Sequence, residues 1–118
     1  MAVTNFFEDL SKDFSKLFEK SDDYDIIIQV GEKSDFKEFN AHSNILRARS
    51  PYFTNSLSNN WINHKSSIVT FKKPNISPAI FLLILRYIYT GTLDITNQSA
   101  SNILDLLVAS DELILDKL

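Results

Sequence analysis

The segment from Ser77 to Gly91 constrains this chain more than any other. Ser77 offers a hydroxyl as N-cap, Pro78 takes the first helical position with the φ it already prefers, and Gly91 supplies a left-handed stop. Between those marks Ile80, Leu83, Ile84, Tyr87 and Ile88 recur at helical spacing on one face. Phe81, Leu85 and Tyr89 cover most of the rest, and Arg86 is the only charge. A helix that is apolar nearly all round is buried, so this one is read as the centre of the core. A chain of 118 residues is enough for one domain with a single core, and the other elements must pack around this helix.

Those other elements are legible in outline. Asn5 to Lys20 reads as a first helix, with Phe6, Phe7, Leu10, Phe14, Leu17 and Phe18 as one apolar stripe. Asn5 is expected to cap it, with Glu8 as its capping-box partner. After the acidic turn Ser21-Asp22-Asp23, Asp25 to Val30 alternates as a strand does, with Ile26, Ile28 and Val30 on one side. Phe36 to Asn40 reads as its hairpin partner. Two short helical pieces follow, Ser43 to Ala48 and one opened by Ser50-Pro51. Asn55 to Ser66 is mostly polar and is read as an exposed loop in its second half, and Ile68 to Phe71 as a short strand. Ser99 to Ala109 and Asp111 to Leu118 read as two final helices, Ser110 capping the second. The order predicts an α+β fold, a helical core flanked by a small three-stranded sheet with an extra N-terminal helix. Residues 1–23 are expected to be a dimerisation element and 24–118 the main domain. The sequence stops inside the last helix without an end signal, which suggests a fragment of a longer protein.

Several classes of function find no residues here. A net charge of −3 gives no basic footprint for nucleic acid or an anionic membrane. With no cysteine there is no disulfide, thiol chemistry or Cys-based zinc site. The first twenty residues alternate charge with Phe and do not read as a signal peptide, and no later run is long enough to span a bilayer. The expected location is therefore cytoplasm or nucleus. Asn75-Ile76-Ser77 and Asn97-Gln98-Ser99 match the glycosylation pattern, which means nothing without a secretory signal. The only histidines, His42 and His64, have no acid at metal-site spacing, no Ser lies in a G-x-S-x-G turn, and no Gly-rich loop is present to cradle a phosphate. The reading is a non-enzyme with no catalytic residue, metal, cofactor, nucleic-acid, membrane or small-molecule partner.

From Asp25 onward the chain resembles the BTB/POZ family. The likeness rests on Asp25-Ile26-Ile27-Ile28-Gln29-Val30, Phe39-Asn40-Ala41-His42, and Leu46-Arg47-Ala48-Arg49-Ser50-Pro51-Tyr52-Phe53. It continues through Ile84-Leu85-Arg86-Tyr87-Ile88-Tyr89-Thr90-Gly91 and Ala109-Ser110-Asp111, in the family's order and roughly its spacing. The resemblance implies a homodimer that acts as an adaptor. Many members bind a cullin scaffold in a ubiquitin ligase; others recruit corepressors or assemble channels. Two positions depart from the pattern. The family often has Lys or Arg after the His, where this chain has Ser43. Cullin binders often carry a hydrophobic-x-Glu motif after the Ser-Pro helix, where Trp61-Ile62-Asn63 keeps the hydrophobe and lacks the acid.

On this reading Phe6, Phe7, Leu10, Phe14, Leu17, Phe18, Asp25 and His42 belong to a dimer interface. The first-helix stripe equally suits a helix that caps its own domain. His42 is read as a hydrogen-bonded packing residue. Asp25 is either solvated or partnered by His42, Arg47 or Arg49. Tyr52, Leu57, Trp61, Ile62 and Asn63 are assigned to a cullin-like partner, Trp61 being either a binding anchor or folded onto its own core. The rival functions are a transcriptional or scaffold adaptor that never meets a cullin, and the non-catalytic N-terminal part of a larger enzyme.

Overall fold

The computed structural model describes residues 2–57 and 68–115. Among them come, in order, α1 (Phe7–Lys20), β1 (Ile26–Val30), β2 (Lys37–Ala41), α2 (Ser43–Arg49), α3 (Pro51–Ser56), β3 (Val69–Lys73), α4 (Pro78–Thr90) and α5 (Ala100–Glu112). The class is the one expected, α+β with a helical core and a three-stranded sheet. β1 is central: it pairs antiparallel with β2, Ile26 opposite Ala41, and parallel with β3, Ile26 beside Val69. The alternation in its sequence is the alternation of its burial, with Ile26, Ile28 and Val30 inward.

α4 is the centre of the core, as its sequence requires. The Ser77 hydroxyl accepts the Ile80 N–H at 3.4 Å, and Gly91 stands at φ 75°, a conformation a side chain would oppose. The buried face differs from the one expected. Ile80, Phe81, Ile84, Leu85, Ile88 and Tyr89 are buried, while Leu83 and Tyr87 are only half-buried. Contacts from distant elements account for this: Phe39 on β2 brings its ring to 5.4 Å from Phe81, and Phe18 on α1 brings its ring to 5.4 Å from Tyr89, eight residues further along the same side.

Two helix ends correct the sequence reading. Asn5 does not cap α1; the cap position is Phe6, and no side chain bonds there. Ser110 does not open a new helix. α5 continues to Glu112, and the Ser110 hydroxyl donates back to the Leu106 carbonyl at 2.7 Å. The stop comes from a Schellman turn, in which the Leu115 N–H reaches the Ser110 carbonyl at 2.9 Å and the Ile114 N–H the Asp111 carbonyl at 3.1 Å. Ile114 holds the left-handed position at φ 54° where glycine is usual, so the sequence carried no visible end signal. Residues 116–118 of the helix expected over Asp111–Leu118 lie outside the described residues. The α5 end is fastened by Ser50, whose hydroxyl accepts from the Phe53 N–H at 3.4 Å and donates to the Leu113 carbonyl at 2.6 Å.

Candidate protein–protein interface

α1 lies across the C-terminal half of α4. The Ser11 hydroxyl donates to the Thr90 carbonyl at 2.7 Å, the Phe18 ring meets Tyr89 at 5.4 Å, and the Arg86 guanidinium stands 5.1 Å over Phe18. Leu17 and Phe18 pack on the domain's own core and Phe14 is half-buried. The other end of the stripe is uncovered: Phe6, Phe7 and Leu10 are 68%, 69% and 52% exposed. Beside it a groove of about 360 Å³ opens between α1, α2 and the end of α4, lined by Phe7, Leu10, Phe14, Ile45, Ala48 and Ile88 among others. Arg49 is the one charged residue among the described residues that line it. Its Nε donates to the Ile88 carbonyl at 3.0 Å and its guanidinium lies 5.3 Å over the Tyr87 ring.

Tyr89 fastens this seat from below. Its hydroxyl accepts the His42 backbone N–H at 2.9 Å and lies 2.6 Å from His42 Nδ1. His42 Nε2 is 2.5 Å from the Asp22 carbonyl, which only accepts. An imidazole with its proton on Nε2 satisfies the set, Tyr89 donating to Nδ1. Burial pushes the Tyr89 phenol up to about 12, the His42 backbone bond opposing and the Asp25 charge adding to it. His42 is thus the hydrogen-bonded packing residue the sequence suggested. Asp25 takes a different partner from those expected. Its two oxygens accept from the Ser43 backbone N–H at 2.7 Å and the Ser43 hydroxyl at 2.5 Å, so the position where the family often places a base is filled by a neutral donor. Neither side chain is among the residues that line the groove.

On the second assigned surface, Tyr52 is half-buried, its ring edge-on to Phe53 at 5.3 Å and to Phe71 at 6.3 Å. Lys73 stands 4.8 Å over that ring and pairs with Glu112, which also accepts from Asn75 at 2.7 Å. Burial alone would pull the Lys73 ammonium down, but the bonds to Glu112 and Tyr52 raise it, and the bond to Lys73 lowers the Glu112 carboxyl. Leu57 is fully buried in the core, so it is a packing residue and not a surface for a partner. Its neighbours in the sequence are polar, but the end of α3 turns it inward. Trp61, Ile62 and Asn63 lie outside the described residues. The sequence reading missed Ile45, Arg49 and Thr90, because the groove exists only once residues far apart in the chain are brought together.

Among the described residues no group of three or more His, Cys, Asp or Glu is placed to hold a metal, and no helix is long and apolar enough to cross a membrane. The site is a surface: an apolar helix end, a groove and a buried polar brace. A small mixed sheet joined to a helical core, with such a face, defines a class of interaction module. The BTB/POZ domain model matches residues 14–118, and the chain belongs to that family of protein–protein interaction domains. It is 32% identical over 100 residues to the Inhibitor of Bruton tyrosine kinase of Xenopus laevis, a match spanning 83% of this chain and 7% of the relative. It is 33% identical over 79 residues to Kelch-like protein 40a of Danio rerio, across 67% of this chain and 12% of that protein. The chain thus spans a small part of the curated relatives it matches. Among solved structures, the BTB (Tramtrack and Bric a brac) domain of human Gigaxonin is similar with a TM-score of 0.72 and 25% identity, over 99% of this chain and 89% of that one. The BTB domain of zebrafish PATZ1 shares the fold with a TM-score of 0.71 at 20% identity, over 99% and 90%.

Proposed function

We propose that this chain is a homodimerising adaptor module without catalytic activity, working in the cytoplasm or nucleus, with residues 1–23 as its self-association element. The observation that carries the reading is the uncovered apolar end of α1, Phe6, Phe7 and Leu10, set beside an apolar groove on the same face. Large apolar stripes need a cover, and a twofold arrangement lets each copy cover the other with the same patch. Membership in an interaction family supports this. Light scattering at micromolar concentration tests it. The parent is expected as a dimer, and Phe7→Glu with Leu10→Glu as a folded monomer, since both side chains are exposed in the single chain. A monomeric parent rejects self-association as an intrinsic property.

The second surface, around Tyr52 and the segment holding Trp61, Ile62 and Asn63, is proposed as the docking site for a cullin-type scaffold. The support is the resemblance of the flanking motifs. Asn63, where cullin binders often carry an acid, favours the alternative of an adaptor that uses other partners. Titration calorimetry with a purified cullin distinguishes the two. Cullin docking predicts binding that Asn63→Glu tightens by about tenfold, the contribution of one charge-assisted hydrogen bond; no heat from either protein favours the other adaptor.

A further inference from the structure

Arg49 is placed oddly for a surface arginine. One edge is already committed, Nε to the Ile88 carbonyl at 3.0 Å, and the guanidinium carbon lies 5.3 Å from the centre of the Tyr87 ring. These contacts orient the fork, and its terminal nitrogens have no carboxylate partner among the described residues. It stands at the groove otherwise lined by apolar and neutral polar side chains, so an occupant carrying a carboxylate beside apolar groups would be recognised there. The exposed end of α1 has that composition. Phe6, Phe7 and Leu10 are interleaved with Glu8 and Asp9, the acidic first turn of the helix. Asp9 has no ion-pair partner among the described residues, and Glu8 has only a solvent-exposed contact with Lys12 at 3.5 Å. Such an exposed pair is weak and leaves the carboxylate available.

We infer that Arg49 is a specificity residue of the self-association proposed above, receiving across the dimer the acidic first turn, Glu8 and Asp9, of the α1 helix of a second copy. The inference rests on that reading and adds to it the pair of groups that sets the register. Apolar surface supplies attraction without direction, whereas a fixed guanidinium facing an acidic turn selects one docking angle and disfavours partners whose first turn is basic.

Twofold symmetry makes the test a sharp one, because each contact occurs twice with the roles exchanged. In an Arg49→Glu dimer both contacts become acid against acid. In a Glu8→Lys, Asp9→Lys dimer both become base against base. In a mixture of the two variants one contact sets the introduced glutamate against the introduced lysines, and the other sets native Arg49 against native acids, so both are attractive. Sedimentation equilibrium is expected to show each variant alone associating at least about tenfold more weakly than the parent, and the equimolar mixture recovering to within about threefold as a heterodimer. Thermal melts of each variant check folding. If Arg49→Glu unfolds the domain, Arg49→Gln replaces it, with an expected loss of about threefold and a flatter dependence on salt than the parent. A dimeric parent whose variants associate as tightly as it does, or whose mixture recovers nothing, overturns this inference and leaves the dimer reading standing. A monomeric parent overturns both.

Discussion

Two helices of similar length carry much of this molecule's apolar surface, and they use it differently. α4, with 13 residues, has six buried side chains; α1, with 14, has none. The difference lies in how charge is spaced. α4 contains a single charged residue, Arg86, and no arrangement leaves it comfortable in water. α1 alternates acids and lysines with its phenylalanines, so water accepts one face throughout and the apolar stripe is optional cover. The stripe then divides. Leu17 and Phe18, the latter against Tyr89, join the core, while Phe6, Phe7 and Leu10 stay largely exposed, Phe7 and Leu10 on the wall of the groove. The first kind of apolar surface builds the domain; the second is the surface on which the proposed self-association rests.

The largest test of that contrast compares deletions in the two helices. Ile84→Ala, in the fully buried middle of α4, should cost about 2–5 kcal/mol in urea melts. Leu83→Ala, one residue earlier but half-buried, should cost clearly less. Leu10→Ala should leave the melt of dilute protein within about 0.5 kcal/mol while weakening association in light scattering. Equal losses for Ile84 and Leu10 would dissolve the distinction between the helices.

A middle-sized effect is expected where the two helices meet. Tyr89→Phe keeps the ring against Phe18 but strands the His42 backbone N–H and ring nitrogen, at about 1–3 kcal/mol. In the parent, the phenol raised to about 12 makes a second signature. The unfolded chain ionises this group near pH 10 and the folded chain resists, so its contribution is present below pH 10 and is lost as pH rises toward 12. Ultraviolet titration should show one of the four tyrosines ionising last and together with unfolding, and Tyr89→Phe should remove that phase.

The smallest effect lies away from both helices. Glu112 is lowered by its bond to Lys73, so its contribution is present above the ordinary carboxylate range and fades as pH falls through the lowered value. Glu112→Gln should flatten the acid limb of the stability profile by about 1 kcal/mol or less, because the pair is partly solvated. It should leave association untouched. A change in dimer affinity there would mean that the interface extends beyond α1 and its groove.

What the sequence made legible was local. The alternation of β1 and the Ser-Pro opening and glycine stop of α4 work through neighbours in the chain, and each stands where expected. The misplaced features depend on distant neighbours or on a disguised signal. Leu83 looked central until Phe39 drew Phe81 inward. Leu57 sits beside polar residues and is nonetheless core. The end of α5 used Ile114 in a glycine position, and Asp25 took the hydroxyl and N–H of Ser43 in place of His42, Arg47 or Arg49. The groove was illegible altogether, because Ser11 and Thr90, which pin its wall, are 79 residues apart.

The parallel pairing of β1 with β3 also has a consequence for the order of assembly. β1 and β2 form a hairpin from adjacent sequence and can pair as soon as Ala41 is made, but the other edge of β1 is completed only when Val69 to Lys73 arrive. During synthesis the hairpin therefore waits with one row of backbone donors and acceptors unsatisfied beside a run of isoleucines. Closing that edge requires a long crossover, so the β1–β3 pairing carries a larger loop-closure cost than the hairpin and is expected to form after it. A cell making this protein faces its hazard before the native surface exists, at an edge that the finished molecule no longer displays.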